Sequence, residues 1–210
     1  MSHNGQTHTQ YFRASDVDLV HFVGGDGNDD FRNNTSIRSY AYGGNGNDFM
    51  RGGADRDLMY GQAGHDNMYG DSGNDYFSGG DVNDNMWGGG GFDYFNGGSG
   101  FDRLSGGAVQ DRIHGGAQAD NLSGDNGTAT LSGRSGFDRQ SGAIRHDLAS
   151  GRPASDGLFG EAGNCTLVAP GLLDFISRHT TTHALLTHTP PSHRQTRHHT
   201  KPPHTTSPTP

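Results

Sequence analysis

Cysteine is nearly absent from this chain. Cys165 is the only one in 210 residues, which excludes an intrachain disulfide framework and any four-cysteine zinc site. Long apolar runs are missing too. No stretch approaches 18 apolar residues, so no membrane-spanning helix is expected. The first 30 residues lack a basic-then-apolar profile, so no cleaved signal peptide is expected. Hydrophobic residues make up only 29% of the chain, too few to offset the entropy of ordering with a conventional core. Positive charge is scarce: 15 Lys and Arg stand against 23 Asp and Glu, and the net charge of −8 disfavours nucleic acid and favours cations as partners. No HExxH helix, GxSxG elbow or GxxxxGK[ST] phosphate loop occurs, so the chain is expected not to be an enzyme. Glycine is what fills the gap. Its 36 residues are more than twice the roughly 7% share of an ordinary protein.

The glycines are periodic. From Gly43 the chain divides every nine residues, beginning GGNGNDFMR, GGADRDLMY, GQAGHDNMY, GDSGNDYFS, GGDVNDNMW, GGGGFDYFN, GGSGFDRLS, and continuing more loosely to Val168. All 14 slices open with glycine, and 12 carry aspartate at position six, the exceptions being Ala129 and Cys165. Position eight is a large apolar residue except at Gln140 and Ala149. One further copy, GGDGNDDFR, spans Gly24 to Arg32, and residues 33–42 slip the register between it and the main array. Residues 17–23 (VDLVHFV) read as a short capping strand. The expected organisation is therefore a lead-in over 1–23, a repeat array over 24–168 that degenerates after about 123, and a disordered tail over 169–210. That tail holds seven of the 13 histidines and seven of the eight prolines, with no helical or strand period.

Each column has a physical reason. Glycine permits positive φ and close backbone approach, as tightly stacked turns require. Such turns expose carbonyl oxygens, and the position-six aspartate adds a hard anionic oxygen beside them. Carbonyl plus carboxylate oxygen, without thiolate and with few histidines, is the ligand chemistry of calcium. The apolar residue at position eight supplies one inward side chain on a short strand. Aspartates stacked about 4.8 Å apart repel by roughly 1 kcal/mol per neighbour in water, and a divalent cation between them reverses the sign.

The pattern G-G-x-G-x-D-x-(apolar)-x resembles the nonapeptide of the RTX, or haemolysin-type, calcium-binding repeats, most specifically over 43–105. The resemblance implies an all-β fold, a right-handed parallel β-roll with two nonapeptides per turn and several calcium ions between loops stacked on one edge. It implies ligation by carbonyls at positions two and four and the aspartate of one loop. Carbonyls at positions one and three and the aspartate of the next loop on that edge complete each site. Carried over, one site uses Gly44, Gly46 and Asp48 with Gly61, Ala63 and Asp66, and the next Gly53, Asp55 and Asp57 with Gly70, Ser72 and Asp75. Gly64, Gly73, Gly80, Asp84, Gly89, Gly91, Asp93, Gly98, Gly100, Asp102, Asp111 and Asp120 continue the set, with Gly25, Gly27 and Asp29 as a weaker copy outside the register. The resemblance also implies type I secretion into the extracellular space of a Gram-negative bacterium. There the chain folds on meeting calcium, alone or as a module of a larger secreted enzyme, toxin or surface adhesin. Residues 169–210 lack the apolar and acidic character of the family's secretion segment, and their His/Thr/Pro bias is compatible with a shifted reading frame.

Local look-alikes are absorbed by the period. Asp81 to Asn85 begins like an EF-hand loop, but Met86 stands where that loop needs glycine. Met50, Met59, Met68 and Met86 read as core filling. Tyr60, Tyr69 and Trp87, at position nine, are expected on the outer face, where a glycan-binding ladder is the rival reading to simple exposure. Ala129 supplies no carboxylate, so the two sites that share it each lose a ligand. Restoring Ala129→Asp is accordingly expected to extend order toward the C terminus.

Overall fold

Two residue types decide where each nonapeptide goes: an inward apolar residue at position eight and an inward glycine at position one, two residues further along the same strand. In the computed structural model, which describes residues 14–142, 148–150, 156–160, 166–168 and 175–178, this pattern makes eighteen strands, numbered β1 to β18 in chain order. Odd-numbered strands form one parallel sheet: Val20–Asp26, Ser39–Asn45, Leu58–Ala63, Tyr76–Asp81, Tyr94–Ser99, Gln110–Ala117, Thr128–Ser135, Leu148–Ser150 and Thr166–Val168. Even-numbered strands form the other: Asp30–Arg32, Phe49–Gly53, Asn67–Ser72, Asn85–Gly90, Arg103–Ala108, Asn121–Ser123, Arg139–Gly142, Gly157–Gly160 and Phe175–Arg178. The result is a β-solenoid in which two nonapeptides make one turn. Phe49 pairs with Asn67 and Leu58 with Tyr76, each 18 residues on. Among the described residues the only helical piece is a single 3-10 turn, Ala14–Asp16, and no helix is long and apolar enough to cross a membrane.

The core is one file of side chains between the sheets. Met50, Met68, Met86, Leu104 and Leu122 descend from one sheet, and Met59, Phe77, Phe95, Ile113 and Leu131 from the other, all at most 2% exposed. Phe77 and Phe95 stack with ring centroids 4.6 Å apart. Gln140 joins this file fully buried, and its amide is satisfied across the interior: Nε2 donates to the Ser150 carbonyl at 3.0 Å and Oε1 accepts the Ser150 N–H at 3.1 Å. A residue that looks like an interior flaw in the sequence thus ties one sheet to the other.

Strand pairing locates three boundaries. The register slip is real but is confined to one residue, because β2 pairs with β4 at an offset of 19, Asp30 facing Phe49. Asn33 absorbs the extra residue. It is buried, its amide donates to the Ile37 carbonyl, and its Oδ1 accepts the Thr35 N–H at 3.2 Å and the Thr35 hydroxyl at 2.6 Å. Residues 34–42 are thereby a disguised nonapeptide, with Ala41 buried at position eight and Ser39 at position six. Strand pairing also continues past Ser123 through β13 and β14 without a change of register, Leu122 facing Gln140. Beyond Val168, β18 pairs with β16, Ile176 facing Leu158, so paired backbone runs past the expected end of the array. Residues 179–210, most of the expected tail, lie outside the described residues, as do Asp147 and Cys165.

Candidate metal centre

The loops between sheets stack into two edges. The first edge carries Asp29, Asp48, Asp66, Asp84, Asp102, Asp120, Asp138 and Asp156; the second carries Asp57, Asp75, Asp93 and Asp111. Within each column the aspartates are linked by backbone. The N–H of one donates to Oδ1 of the aspartate one turn above at 2.8–3.0 Å, as from Asp48 to Asp66, Asp66 to Asp84 and Asp93 to Asp111. Asp29 belongs to this ladder, donating to Asp48 Oδ1 at 2.8 Å. The expectation that it sits outside the register is corrected, since the Asn33 insertion restores the phase.

The other carboxylate oxygen has no such partner. Oδ2 of Asp29, Asp48, Asp57 and every aspartate of both columns up to Asp138 is buried and accepts no hydrogen bond. Each lies over the position-one glycine of its own repeat, and at Asp29, Asp48, Asp66, Asp75, Asp84, Asp93 and Asp102 the position-one carbonyl of the loop above lies over the same glycine. A Cβ added at Gly61 would fall under 3.0 Å from both Asp66 Oδ2 and the Gly79 oxygen, and one at Gly70 equally from Asp75 Oδ2 and the Gly88 oxygen. That glycine is required because its missing side chain leaves an oxygen-lined hollow. From below, the position-two and position-four carbonyls point upward: a Cβ on Gly46 would collide with the Gly27 oxygen, and one on Gly98 with that of Gly80.

The loops reach this shape through left-handed residues at positions two and four. Gly25, Gly27, Gly44, Gly46, Gly53, Gly64, Gly73, Gly80, Gly89, Gly91, Gly98 and Gly100 have φ between +100° and +138°. Of the expected ligand positions, Gly61 and Gly70 face inward at position one, and Ala63 and Ser72 end their strands at position three. Asp55 differs, because it is absent from the positive-φ residues although Gly53 beside it has φ +115°. Several side-chain-bearing residues adopt the same strained conformation, among them Gln62, Val82 (φ 77), Val109 (φ 80) and Gln118. A β-branched residue there is costly. Val82 and Val109 are 44% and 48% exposed, so their side chains recover little by burial. Val82→Gly and Val109→Gly should each stabilise the folded roll by about 1 kcal/mol, the left-handed penalty of roughly 1–2 kcal/mol less the entropy of glycine. Denaturant midpoints would show it, and unchanged or lower midpoints would count against strain at these loops.

Burial sets the charge state of the ladder. Desolvation, opposed by the backbone hydrogen bond and reinforced by stacked carboxylates, pushes Asp75, Asp84 and Asp120 up from 3.8 to about 8. Desolvation likewise pushes Asp111 up to about 7, and Asp66, Asp93, Asp102 and Asp138 to about 6. At Asp57, also about 6, the opposing hydrogen bonds come from the hydroxyl and N–H of Ser39 at 2.7 and 2.6 Å. Among the described residues no three His, Cys, Asp or Glu side chains converge, so a bound cation draws most of its ligands from carbonyls. Orphaned carboxylate oxygens facing carbonyls are hard donors of the kind calcium takes. The residues present fit that ion.

Sequence reasoning missed two sets of residues. Position-five asparagines cap the loop above: Asn28 Oδ1 accepts the Asn47 N–H, Asn47 that of His65, Asn74 that of Phe92 and Asn83 that of Phe101, at 2.7–2.8 Å. Their signal was the recurring Asn-Asp dipeptide. Ser39 was missed because it lies inside the slipped segment. The outer aromatics are half-buried against one another, Tyr69 stacking on Trp87 at 4.5 Å and 7° and Tyr42 on Tyr60 at 5.0 Å and 5°. Stacked rings turn a face to each neighbour and leave their edges outward.

A family model for the RTX calcium-binding nonapeptide repeat matches the chain in four copies, at residues 42–77, 78–112, 96–131 and 105–140. No curated protein and no solved structure matches it.

Proposed function

Because residues 42–140 belong to the RTX calcium-binding nonapeptide repeats, we propose that this roll is a non-catalytic module whose folding is driven by calcium outside the cell. The observation that carries the reading is the double column of buried carboxylate oxygens without hydrogen-bond partners. Without a cation that arrangement is unfavourable, since each buried anion lacks a counter-charge and faces its like one turn away. Bound calcium supplies that charge.

The chain's own residues do the rest. The position-two and position-four carbonyls of one loop and its aspartate offer oxygens from below. The position-one and position-three carbonyls and the aspartate of the next loop offer them from above. In the clearest case, Gly44, Gly46 and Asp48 face Gly61, Ala63 and Asp66. Each inner aspartate borders two gaps, so ligation in one organises the loop for the next and the response is cooperative along the stack. A calcium-poor cytoplasm then keeps the chain unfolded for export, and the extracellular medium folds it.

Far-UV circular dichroism of the full chain during calcium titration is the test. A sigmoidal gain of strand signal, weakly reproduced by magnesium, is expected, because magnesium demands a small octahedral site with several waters. A chain still unfolded at about 10 mM calcium, beyond the range of the weakest extracellular modules, would overturn the reading.

A further inference from the structure

The two edges are closed differently. On the first edge every strand from β2 to β16 begins at position seven, leaving position six free to carry its aspartate in the loop. On the second edge β15 and β17 do so as well, and so do β5, β7 and β9. Below them, β1 and β3 begin at position six, with Val20 paired to Ser39. Above them, β11 and β13 begin at position five, so Gln110 pairs with Thr128 and Asp111 with Ala129. Strand pairing thus reaches into the loop between β1 and β3 and between β11 and β13.

The loop conformations agree independently. Loops 70–75, 88–93 and 106–111 each hold left-handed residues at positions two and four. Loop 124–129 has only Asp125 left-handed (φ 48), although glycine is available at position four as Gly127. Thr128 N–H donates to the Val109 carbonyl at 2.7 Å, and Asn126 N–H to that of Gly107 at 2.9 Å, taking up oxygens that point toward the gap. At the base, Ala54 N–H donates to the Thr35 carbonyl at 3.0 Å, and the position-six residue beneath Asp57 is Ser39, which offers a hydroxyl and no carboxylate.

We propose that the second edge carries a closed cassette, in which calcium occupies the gaps among loops 52–57, 70–75, 88–93 and 106–111 while backbone hydrogen bonds seal the gap below and the gap above without metal. This rests on the calcium reading above and revises the sequence expectation for Ala129. The missing carboxylate there is not a damaged site awaiting repair. Its loop has been rebuilt as a strand junction: the Gly107 and Val109 carbonyls beneath are already taken by the Asn126 and Thr128 N–H groups, and its own loop holds no left-handed pair for a restored carboxylate to join.

The test is calcium stoichiometry of the full chain, by equilibrium dialysis and metal analysis, for wild type, Ala129→Asp and Asp93→Asn. The cassette requires the same count in Ala129→Asp as in wild type and a lower count in Asp93→Asn. One or two additional ions in Ala129→Asp would overturn it. A wild type that binds none would fail the calcium reading itself, a distinct result that removes the cassette with it. Should Ala129→Asp not fold, hydrogen exchange in wild type decides. Just below the calcium midpoint, the Arg112 amide, bonded to the Asp93 carbonyl, should lose protection at least about tenfold more than the Thr128 amide. Equal loss would show that the junction depends on metal as the cassette does.

Discussion

Replacing Asp84 by Ala is expected to raise the calcium midpoint of folding by about tenfold or more, whereas Asp29→Ala should raise it several-fold less. The charge count of an oxygen site moves calcium affinity over decades, so one lost carboxylate is a large change. The asymmetry comes from position in the column. Asp84 accepts the Asp66 N–H and donates its own N–H to Asp102, so it borders one gap below and one above. Asp29 is the lowest aspartate of the same column and borders only the gap beneath Asp48. Removing Asp84 also splits a cooperative stack near its middle, leaving two shorter arrays that must order separately. Circular dichroism titration of the two variants beside wild type measures the shifts. Equal shifts would contradict shared ligation along the edge.

The sequence made the repeat unmistakable because every column answers to a local rule: glycine where a Cβ would strike a carboxylate, an apolar residue where the strand turns inward, aspartate where the loop needs an anion. Those rules operate within nine residues and are readable within nine residues. What escaped was set by neighbours one turn away. Asp29 reads as out of phase when residues are counted along the chain, yet Asn33 folds one residue out of the count and returns it to the column. Gln140 reads as a polar intruder until Ser150, ten positions on, satisfies it. Ala129 reads as a lost ligand because its column demands aspartate, whereas its pairing with Asp111 depends on where β11 begins. No nine-residue pattern encodes that start. Position-five asparagine lay between these cases: the dipeptide was visible, but its role in capping the loop above required the stack.

Without calcium, acid should fold the chain better than neutral pH does. The folded-state aspartates titrate above their unfolded value of 3.8, at about 8 for Asp75, Asp84 and Asp120 and about 6 for Asp57 and Asp66. Between about pH 4 and pH 8 the folded roll therefore holds more protons than the unfolded chain, and its stability falls as pH rises through that window. Protein freed of calcium by dialysis should gain strand signal between pH 8 and pH 5, and gain nothing further once the unfolded chain is protonated as well. The calcium-loaded roll should respond with the opposite sign. Its ligands must be deprotonated, binding releases protons, and the calcium midpoint should rise as pH falls. Asp84→Asn separates the two effects. Its neutral amide resembles the protonated acid, so it should ease folding of the metal-free chain at pH 8 while weakening its calcium response. A metal-free chain less structured at pH 5 than at pH 8 would show that the buried carboxylates do not govern folding.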